Sequence, residues 1–337
     1  MTTRIGINGF GRIGRQVLKA IIERHPDSLE VVALNDLVDT KTNAHLFKYD
    51  SNYGRFGGTV EADGNDLVVN SKRIRVFSQR NPGDIPWSDE QVDLVIESTG
   101  LFTDATKASA HRKGSVKKVI ISAPAKNEDV TVVLGVNQDT YDPAKHHIIS
   151  NASCTTNGLA PVVRVLIDSF GFQKGQMTTI HSYTNSQKLL DIAAPDLREA
   201  RAAGLNIVPL STGAARALKL VIPEISGKLD GCAYRVPTPT VSIVEVVALT
   251  EKDTTAEEVN QAMFRASAER MNGILAITDE PVVSMDMKGN ENSSIVDALS
   301  TNVVAGNLVK VASWYDNEWG YSCRVSDLCQ FLVDRGL

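Results

Sequence analysis

Residues 4–36 read RIGINGFGRIGRQVLKAIIERHPDSLEVVALND, and their pattern decides the fold. RIGING (4–9) is a short β-rich run, a helical pattern follows from about Arg12 to Arg24, and LEVVALND (29–36) is a second β-rich run. Gly9, Gly11 and Gly14 stand at the first βα turn in G-x-G-x-x-G spacing. Such spacing is a weak signal by itself. Placed after a strand and at the head of a helix, it describes a turn whose backbone can approach a pyrophosphate, with helix N–H groups directed at the anion. Arg12 and Ile13 belong to that turn. Asp36 closes the second run about 20 residues further on, where a carboxylate that accepts from a ribose hydroxyl belongs. Its charge would repel a 2′-phosphate, so the expected cofactor is NAD in preference to NADP.

Further apolar runs extend the pattern: DLVIES (93–98), KVIIS (118–122), VTVVLGV (130–136) and HHIIS (146–150). Near-continuous Val/Ile runs suit strands with helices over both faces of a parallel sheet, so the first half reads as a Rossmann-type doubly wound α/β domain. After residue 150 the texture changes. A helix pattern starts near Cys154, followed by MTTIHSYT (177–184), the long β-rich stretch 228–251, a helix capped by Thr254 and Glu257, and the strand VKVASWY (309–315). This predicts an α+β catalytic domain with a mixed sheet. The expected division is an NAD-binding domain at 1–152, joined by a C-terminal helix at 317–337, and a catalytic domain at 153–316. In that last helix Val325, Leu328, Cys329 and Leu332 share one face.

Composition narrows the class. A net charge of −5 without a basic run gives no reason to expect nucleic acid as a primary partner. No apolar stretch is long enough to span a bilayer, and the N-terminus lacks a signal-peptide pattern, so a cytoplasmic enzyme is expected. The four cysteines show no paired spacing, and no metal site is expected.

One cysteine has a distinctive setting. In Ser150-Asn151-Ala152-Ser153-Cys154-Thr155-Thr156-Asn157, polar residues precede an apolar helical run, which places Cys154 in the first helical turn. There the helix dipole favours the thiolate, the nucleophilic form. His181, in TTIHSYTN, is a candidate base. Residue types and spacing alone leave open an inert thiol and a strand-end histidine with no catalytic part.

From end to end the chain closely resembles the glyceraldehyde-3-phosphate dehydrogenase family. The blocks INGFGRIGR (7–15), HLFKYDSNYGRF (45–56), VIISAPAKNED (119–129), SNASCTTN (150–157), HSYTN (181–185), STGAA (211–215), RVPTP (235–239) and WYDNEWGY (314–321) stand in family order. The resemblance implies oxidation and phosphorylation of D-glyceraldehyde 3-phosphate to 1,3-bisphosphoglycerate, with reduction of NAD, in glycolysis or gluconeogenesis. Cys154 would form a thioester and His181 would take the thiol proton. Thr99, Ser122 and Asn317 would join the turn residues and Asp36 in holding NAD. Arg235 and Thr184 would hold the substrate phosphate; Ser153, Thr155, Arg201, Thr212 and Gly213 would hold the attacking phosphate. A homotetramer is expected by the same analogy. A relative that oxidises erythrose 4-phosphate and hydrolyses its thioester is the nearest alternative, and intact HSYTN and STGAA argue against it. Three positions depart from the family's commonest pattern. Gly158 replaces a frequent second cysteine, Ser186 stands where an acidic residue is usual, and Ile192-Ala193 replaces a Leu-Pro pair.

Overall fold

The computed structural model describes residues 2–337. It divides into two compact units. The first comprises Met1–Val132, Asp139–Ala152 and Ser322–Leu337, and the second Val133–Gln138 and Ser153–Tyr321.

In the first unit the chain runs β1 (Thr3–Asn8), α1 (Arg12–Arg24), β2 (Leu29–Asn35), α2 (Thr40–Lys48), the short pair β3 (Tyr49–Asp50) and β4 (Gly54–Arg55), β5 (Val60–Asp63), β6 (Asp66–Val69), β7 (Lys72–Phe77), β8 (Leu94–Glu97), α3 (Ala105–Ala108), β9 (Lys118–Ile121), β10 (Val130–Thr131) and β11 (Ile148–Ser150). The nine-stranded sheet has the order β10-β11-β9-β8-β1-β2-β7-β6-β5. It is parallel from β10 to β7, and β6 and β5 add an antiparallel edge. From β1 the chain builds outward through β2 to β5–β7, then returns to place β8 on the other side of β1. The C-terminal ends of β1 and β8 therefore flank the switch point, where open α/β sheets bind their ligands. The central strands are Val/Ile-rich because both faces are covered: Ile5, Ile7, Leu94, Val95, Ile96, Val119, Ile120 and Ile121 are all fully buried.

The second unit contains α4 (Cys154–Phe170), β12 (Lys174–Ser182), β13 (Val208–Ser211), α5 (Ala214–Val221), β14 (Leu229–Val236), β15 (Ser242–Leu249), α6 (Ala256–Ala268), β16 (Leu275–Thr278), β17 (Ser294–Asp297), β18 (Asn302–Val304), β19 (Leu308–Tyr315) and the start of α7 (Trp319–Asp334). Its sheet follows β13-β14-β12-β15-β19-β17-β16, with β18 on β19. The pairs β12–β14 and β16–β17 are parallel and the remaining pairs antiparallel, so the sheet is mixed. Burial along β15 alternates strictly, as a strand with one covered face requires. Helix α4 packs on the covered face, against β15, β17 and β19.

Two sequence expectations change. The run 130–136 forms only the two-residue strand β10: Val133–Val136 turn, with the Val133 N–H donated to Asn137 Oδ1 at 2.8 Å and Gly135 at φ +82°. Buried apolar residues fill a tight turn as readily as a strand, which periodicity does not distinguish. The cap of α6 lies one residue later than expected. Thr255 Oγ1 accepts from the Glu258 N–H at 3.2 Å, and Glu258 Oε2 accepts from the Thr255 N–H at 2.9 Å. In α7 the face of Val325, Leu328, Cys329 and Leu332 is fully buried, as the pattern requires.

Candidate active site

In the first unit the loop after β1 is shaped by its glycines. Gly9 has φ +91°, and a Cβ there would stand 2.7 Å from the Thr99 nitrogen; at Gly14 a Cβ would stand 2.1 Å from the Gly9 carbonyl oxygen. Around Gly11, the N-cap of α1, there is open space, and no side chain caps the helix. The turn therefore leaves room for a ligand at the helix N-terminus, as a pyrophosphate needs. Asp36 Oδ2 accepts from the Phe10 N–H at 2.7 Å and Oδ1 from the Val38 N–H at 2.9 Å. These bonds fix the carboxylate against the glycine turn. Ile13 sits in the first turn of α1, and Arg12 donates to Asp50 Oδ2 at 2.7 Å. Thr99 donates its N–H to Glu97 Oε1 at 2.8 Å, and Ser122 donates to the Glu97 carbonyl from both its N–H and its hydroxyl. Loops after four neighbouring strands, β9, β8, β1 and β2, thus carry the first-unit residues expected to hold the dinucleotide.

In the second unit, Ser153 is the N-cap of α4, its Oγ accepting from the Thr156 N–H at 3.0 Å. Cys154 is the first helical residue. Just before the cap, Ala152 is fully buried with φ +54°, a left-handed conformation costly for a residue with a Cβ and typical of sites that hold strain. Cys154 Sγ lies 3.5 Å from His181 Nε2. His181 is buried at the end of β12, and the parallel register of β12 with β14 sets it directly opposite Arg235. A guanidinium nitrogen of Arg235 lies against both His181 Nδ1 and the Ser182 carbonyl oxygen, the latter at 2.9 Å. His181 Nδ1 is itself 2.7 Å from that carbonyl. The Nε of Arg235 is buried without a hydrogen-bond partner, a donor left over for an anion.

Tyr315 supports this cluster and was not singled out by the sequence reading. Its hydroxyl contacts Thr155 Oγ1 at 2.9 Å and Thr179 Oγ1 at 2.8 Å, and its ring meets His181 edge-on with centroids 5.9 Å apart. Its position at the end of β19, inside WYDNEWGY, was the available signal. A Cβ on Gly158 would come within 3.2 Å of this ring, so a larger residue there would crowd it. Asn317 Oδ1 accepts from the hydroxyls of Ser182 and Ser242 at 2.9 and 3.0 Å, which orients its amide.

The expected phosphate ligands are distributed unevenly. Ser153 and Thr155 flank Cys154, and Arg235 adjoins His181. Thr184 is engaged with Ser186 Oγ at 3.0 Å and Gln187 Oε1 at 3.2 Å. Thr212 Oγ1 accepts from the Ala214 N–H at 3.1 Å, and Gly213 caps α5. Arg201 is largely exposed and its Nε donates to Asp191 Oδ2 at 2.9 Å. An anion must compete with Asp191 for it.

Electrostatics refine the picture of the nucleophile. Burial pushes the Cys154 thiol up, opposed by the Arg235 charge and a hydrogen bond from Thr155. The residue keeps some exposure, which limits the upward push. His181 is pushed down to about 3, first by burial and second by the Arg235 guanidinium. The imidazole is therefore neutral near pH 7, and stabilisation of a thiolate falls to the helix N-terminus and Arg235. Burial also drives the Tyr315 phenol up, keeping it neutral. Among the described residues no group of acidic, histidine and cysteine side chains could hold a metal, and no helix is long and apolar enough to cross a membrane.

The doubly wound sheet with its glycine turn and strand-end carboxylate defines a dinucleotide-binding enzyme fold, joined here to a second unit that carries a cysteine–histidine pair. Residues 3–105 match the NAD-binding domain of glyceraldehyde 3-phosphate dehydrogenase, and residues 153–317 match that family's C-terminal domain. Over all 337 residues, and the whole of each relative, the chain is 56% identical to glyceraldehyde-3-phosphate dehydrogenase of Geobacillus stearothermophilus and 55% identical to that of Priestia megaterium. It is 54% identical, again over the full length, to glyceraldehyde-3-phosphate dehydrogenase 1 of Bacillus subtilis. The chain belongs to the glyceraldehyde-3-phosphate dehydrogenase family, and its cofactor is NAD.

Proposed function

We propose that the protein oxidises and phosphorylates D-glyceraldehyde 3-phosphate to 1,3-bisphosphoglycerate, with NAD as oxidant, in glycolysis or gluconeogenesis. The contact that carries the reading is Cys154 Sγ at 3.5 Å from His181 Nε2, with Arg235 beside the imidazole. Cys154 Sγ attacks the aldehyde carbon while Nε2 of neutral His181 takes the thiol proton. Base function requires the ring proton on Nδ1, donated to the Ser182 carbonyl. Arg235, drawn to the substrate's phosphate, then ceases to compete for Nδ1, and the basicity of His181 rises as the opposing charge is neutralised. The imidazolium formed can donate to the developing alkoxide. NAD, when bound, would supply the hydride acceptor; as hydride leaves the thiohemiacetal carbon, the oxygen's proton passes to His181 Nε2 and the thioester results. Inorganic phosphate attacks the thioester carbonyl, and Cys154 departs as the thiolate, reclaiming the proton. Sulfur suits both halves, since it is a strong nucleophile and a good acyl leaving group.

Ser153, Thr155, Thr212, Gly213 and Arg201 are assigned to the attacking phosphate, and Thr184 with Arg235 to the substrate phosphate, by family resemblance. We assign Gly9, Gly11, Arg12, Ile13, Gly14, Asp36, Thr99, Ser122 and Asn317 to NAD. The same analogy gives a cytoplasmic homotetramer, which the molar mass in solution would check. It is in keeping with the exposed apolar side chains of Leu189, Leu190, Leu197, Leu205 and Ile207.

Initial-rate kinetics with triose phosphate test the proposal. Sustained turnover is expected only with inorganic phosphate present. kcat/KM with NAD should exceed that with NADP at least about tenfold, some 1.4 kcal/mol, because the fixed Asp36 carboxylate repels a 2′-phosphate. Steady turnover without phosphate would favour hydrolysis of the thioester. Equal efficiency with both cofactors would remove Asp36 as the selector and direct attention to exposed Ala193.

A further inference from the structure

Beneath the loops of the glycine turn lies a buried polar network that the reaction does not use. Glu97, at the end of β8, and His111 are 2% and 0% exposed. Trp87 Nε1 donates to His111 Nδ1 at 3.1 Å. An indole nitrogen only donates, so Nδ1 is the acceptor and the neutral ring carries its proton on Nε2, 3.0 Å from Glu97 Oε2. The same oxygen accepts from Asn8 Nδ2, and Glu97 Oε1 accepts from both the N–H and the hydroxyl of Thr99. Asn8 Oδ1 in turn accepts from Asn35 Nδ2 at 2.8 Å, and Asn35 Oδ1 from the Gln79 N–H at 2.8 Å.

Every group on Glu97 is a donor, so the site fits an ionised carboxylate and neither an acid nor an amide. A buried carboxylate with no cationic side chain on it is costly unless its oxygens are fully hydrogen-bonded, as these are. What the network joins gives it a purpose. Asn8 ends β1 beside Gly9, Asn35 ends β2 beside Asp36, and Thr99 follows β8. These are three of the loops at the C-terminal edge of the sheet, at and beside the switch point, each carrying a residue assigned to the dinucleotide.

We propose that Glu97 is a positioning residue for the cofactor: its carboxylate ties the loops after β1, β2 and β8 into one rigid cradle, so that Gly9, Asp36 and Thr99 meet the dinucleotide already in place. The inference rests on the assignment of those loops to NAD. Preorganisation of this kind appears in affinity, because a loosened cradle must be ordered by the ligand itself.

The test is calorimetric titration of NAD into the parent protein, Glu97→Gln and Trp87→Phe, with thermal melts and steady-state kinetics on each. In Glu97→Gln the amide NH2 faces donors on one side, and bonds to a charged acceptor are lost. Kd for NAD should rise about tenfold or more. Trp87→Phe removes one neutral donor at the far end and should raise Kd about two- to fivefold. In both, kcat at saturating NAD should stay within about twofold of the parent, and Cys154 should alkylate at the parental rate without NAD. A lowered melting temperature with unchanged Kd in the folded variants would show a purely structural network and overturn the proposal. So would a fall in kcat at unchanged Kd. Should Glu97→Gln not fold, Trp87→Phe decides by the same criteria. Absence of NAD binding by the parent would overturn the cofactor assignment and this inference with it, whereas tight parental binding with unaltered variants overturns this inference alone.

Discussion

Cys154→Ser is expected to lose turnover by at least about 10⁴-fold while NAD affinity stays within about twofold of the parent. The serine hydroxyl occupies nearly the same place at the head of α4, so the fold and the Ser153 cap are retained. What changes is the nucleophile. Helix N–H groups and Arg235 favour a sulfur anion against the push of burial, but a hydroxyl lies far beyond that help at neutral pH. The oxygen ester would also be a poorer acyl donor to phosphate. Losses of this size follow removal of a nucleophile that works as a unit with its base. Because NAD is assigned to the loops of the first unit and to Asn317, a variant that loses NAD affinity along with activity would contradict the separation of roles. Residual turnover above about a tenth of the parent would remove Cys154 as the nucleophile.

His181→Asn should lower kcat by about a hundred- to ten-thousandfold, the usual worth of general acid–base catalysis, with fold and NAD binding kept. The sign of its pH dependence follows from the environment. A pKa pushed down to about 3 means His181 loses its proton at low pH and is neutral through the physiological range. The acid limb of kcat/KM that belongs to this group should therefore fall well below 6.5, the ordinary value for histidine. Cys154 should also alkylate more slowly in the variant, since no base remains at 3.5 Å to take its proton. Equal turnover and equal alkylation in variant and parent would exclude His181 as the partner of Cys154, and would turn attention to another histidine such as His45.

The sheet centre was legible because several local signals agreed there. Helix α1 runs over Arg12–Arg24 as its pattern predicted, with Gly11 at the N-cap and Pro26 just beyond the end. The hairpin β6–β7 was not read. It turns at Asn70 and Ser71, both with positive φ; Arg73 and Arg75 alternate with buried Ile74 and Val76 in β7, but β6 is only four residues long, so the periodic signal is short. The α6 cap was misplaced by one residue because Thr254/Glu257 and Thr255/Glu258 have the same spacing. Hydrogen bonds, not sequence, choose between them.

At the site, Cys154 and the glycine turn could be picked out from their local setting. The proximity of Cys154, His181 and Arg235 could not, since it depends on the register of β12 against β14 and on the packing of α4 over the sheet. Tyr315 and Glu97 escaped notice for a related reason. Each acts by linking elements distant in the chain, and each looks like an ordinary strand residue until its partners are known. Conversely, Arg201 carried an expectation from resemblance, but its side chain is engaged by Asp191.

The central claim is a thioester on Cys154, and it is tested most directly by mass spectrometry of the trapped enzyme. The protein is mixed with NAD and glyceraldehyde 3-phosphate without inorganic phosphate, quenched in acid, weighed intact and then peptide-mapped. The expected result is one acyl group per chain on the peptide bearing Cys154, formed together with about one equivalent of NADH, and lost when phosphate is added before the quench. Formation of NADH with no adduct, or an adduct on Cys232, Cys323 or Cys329 instead, would contradict it.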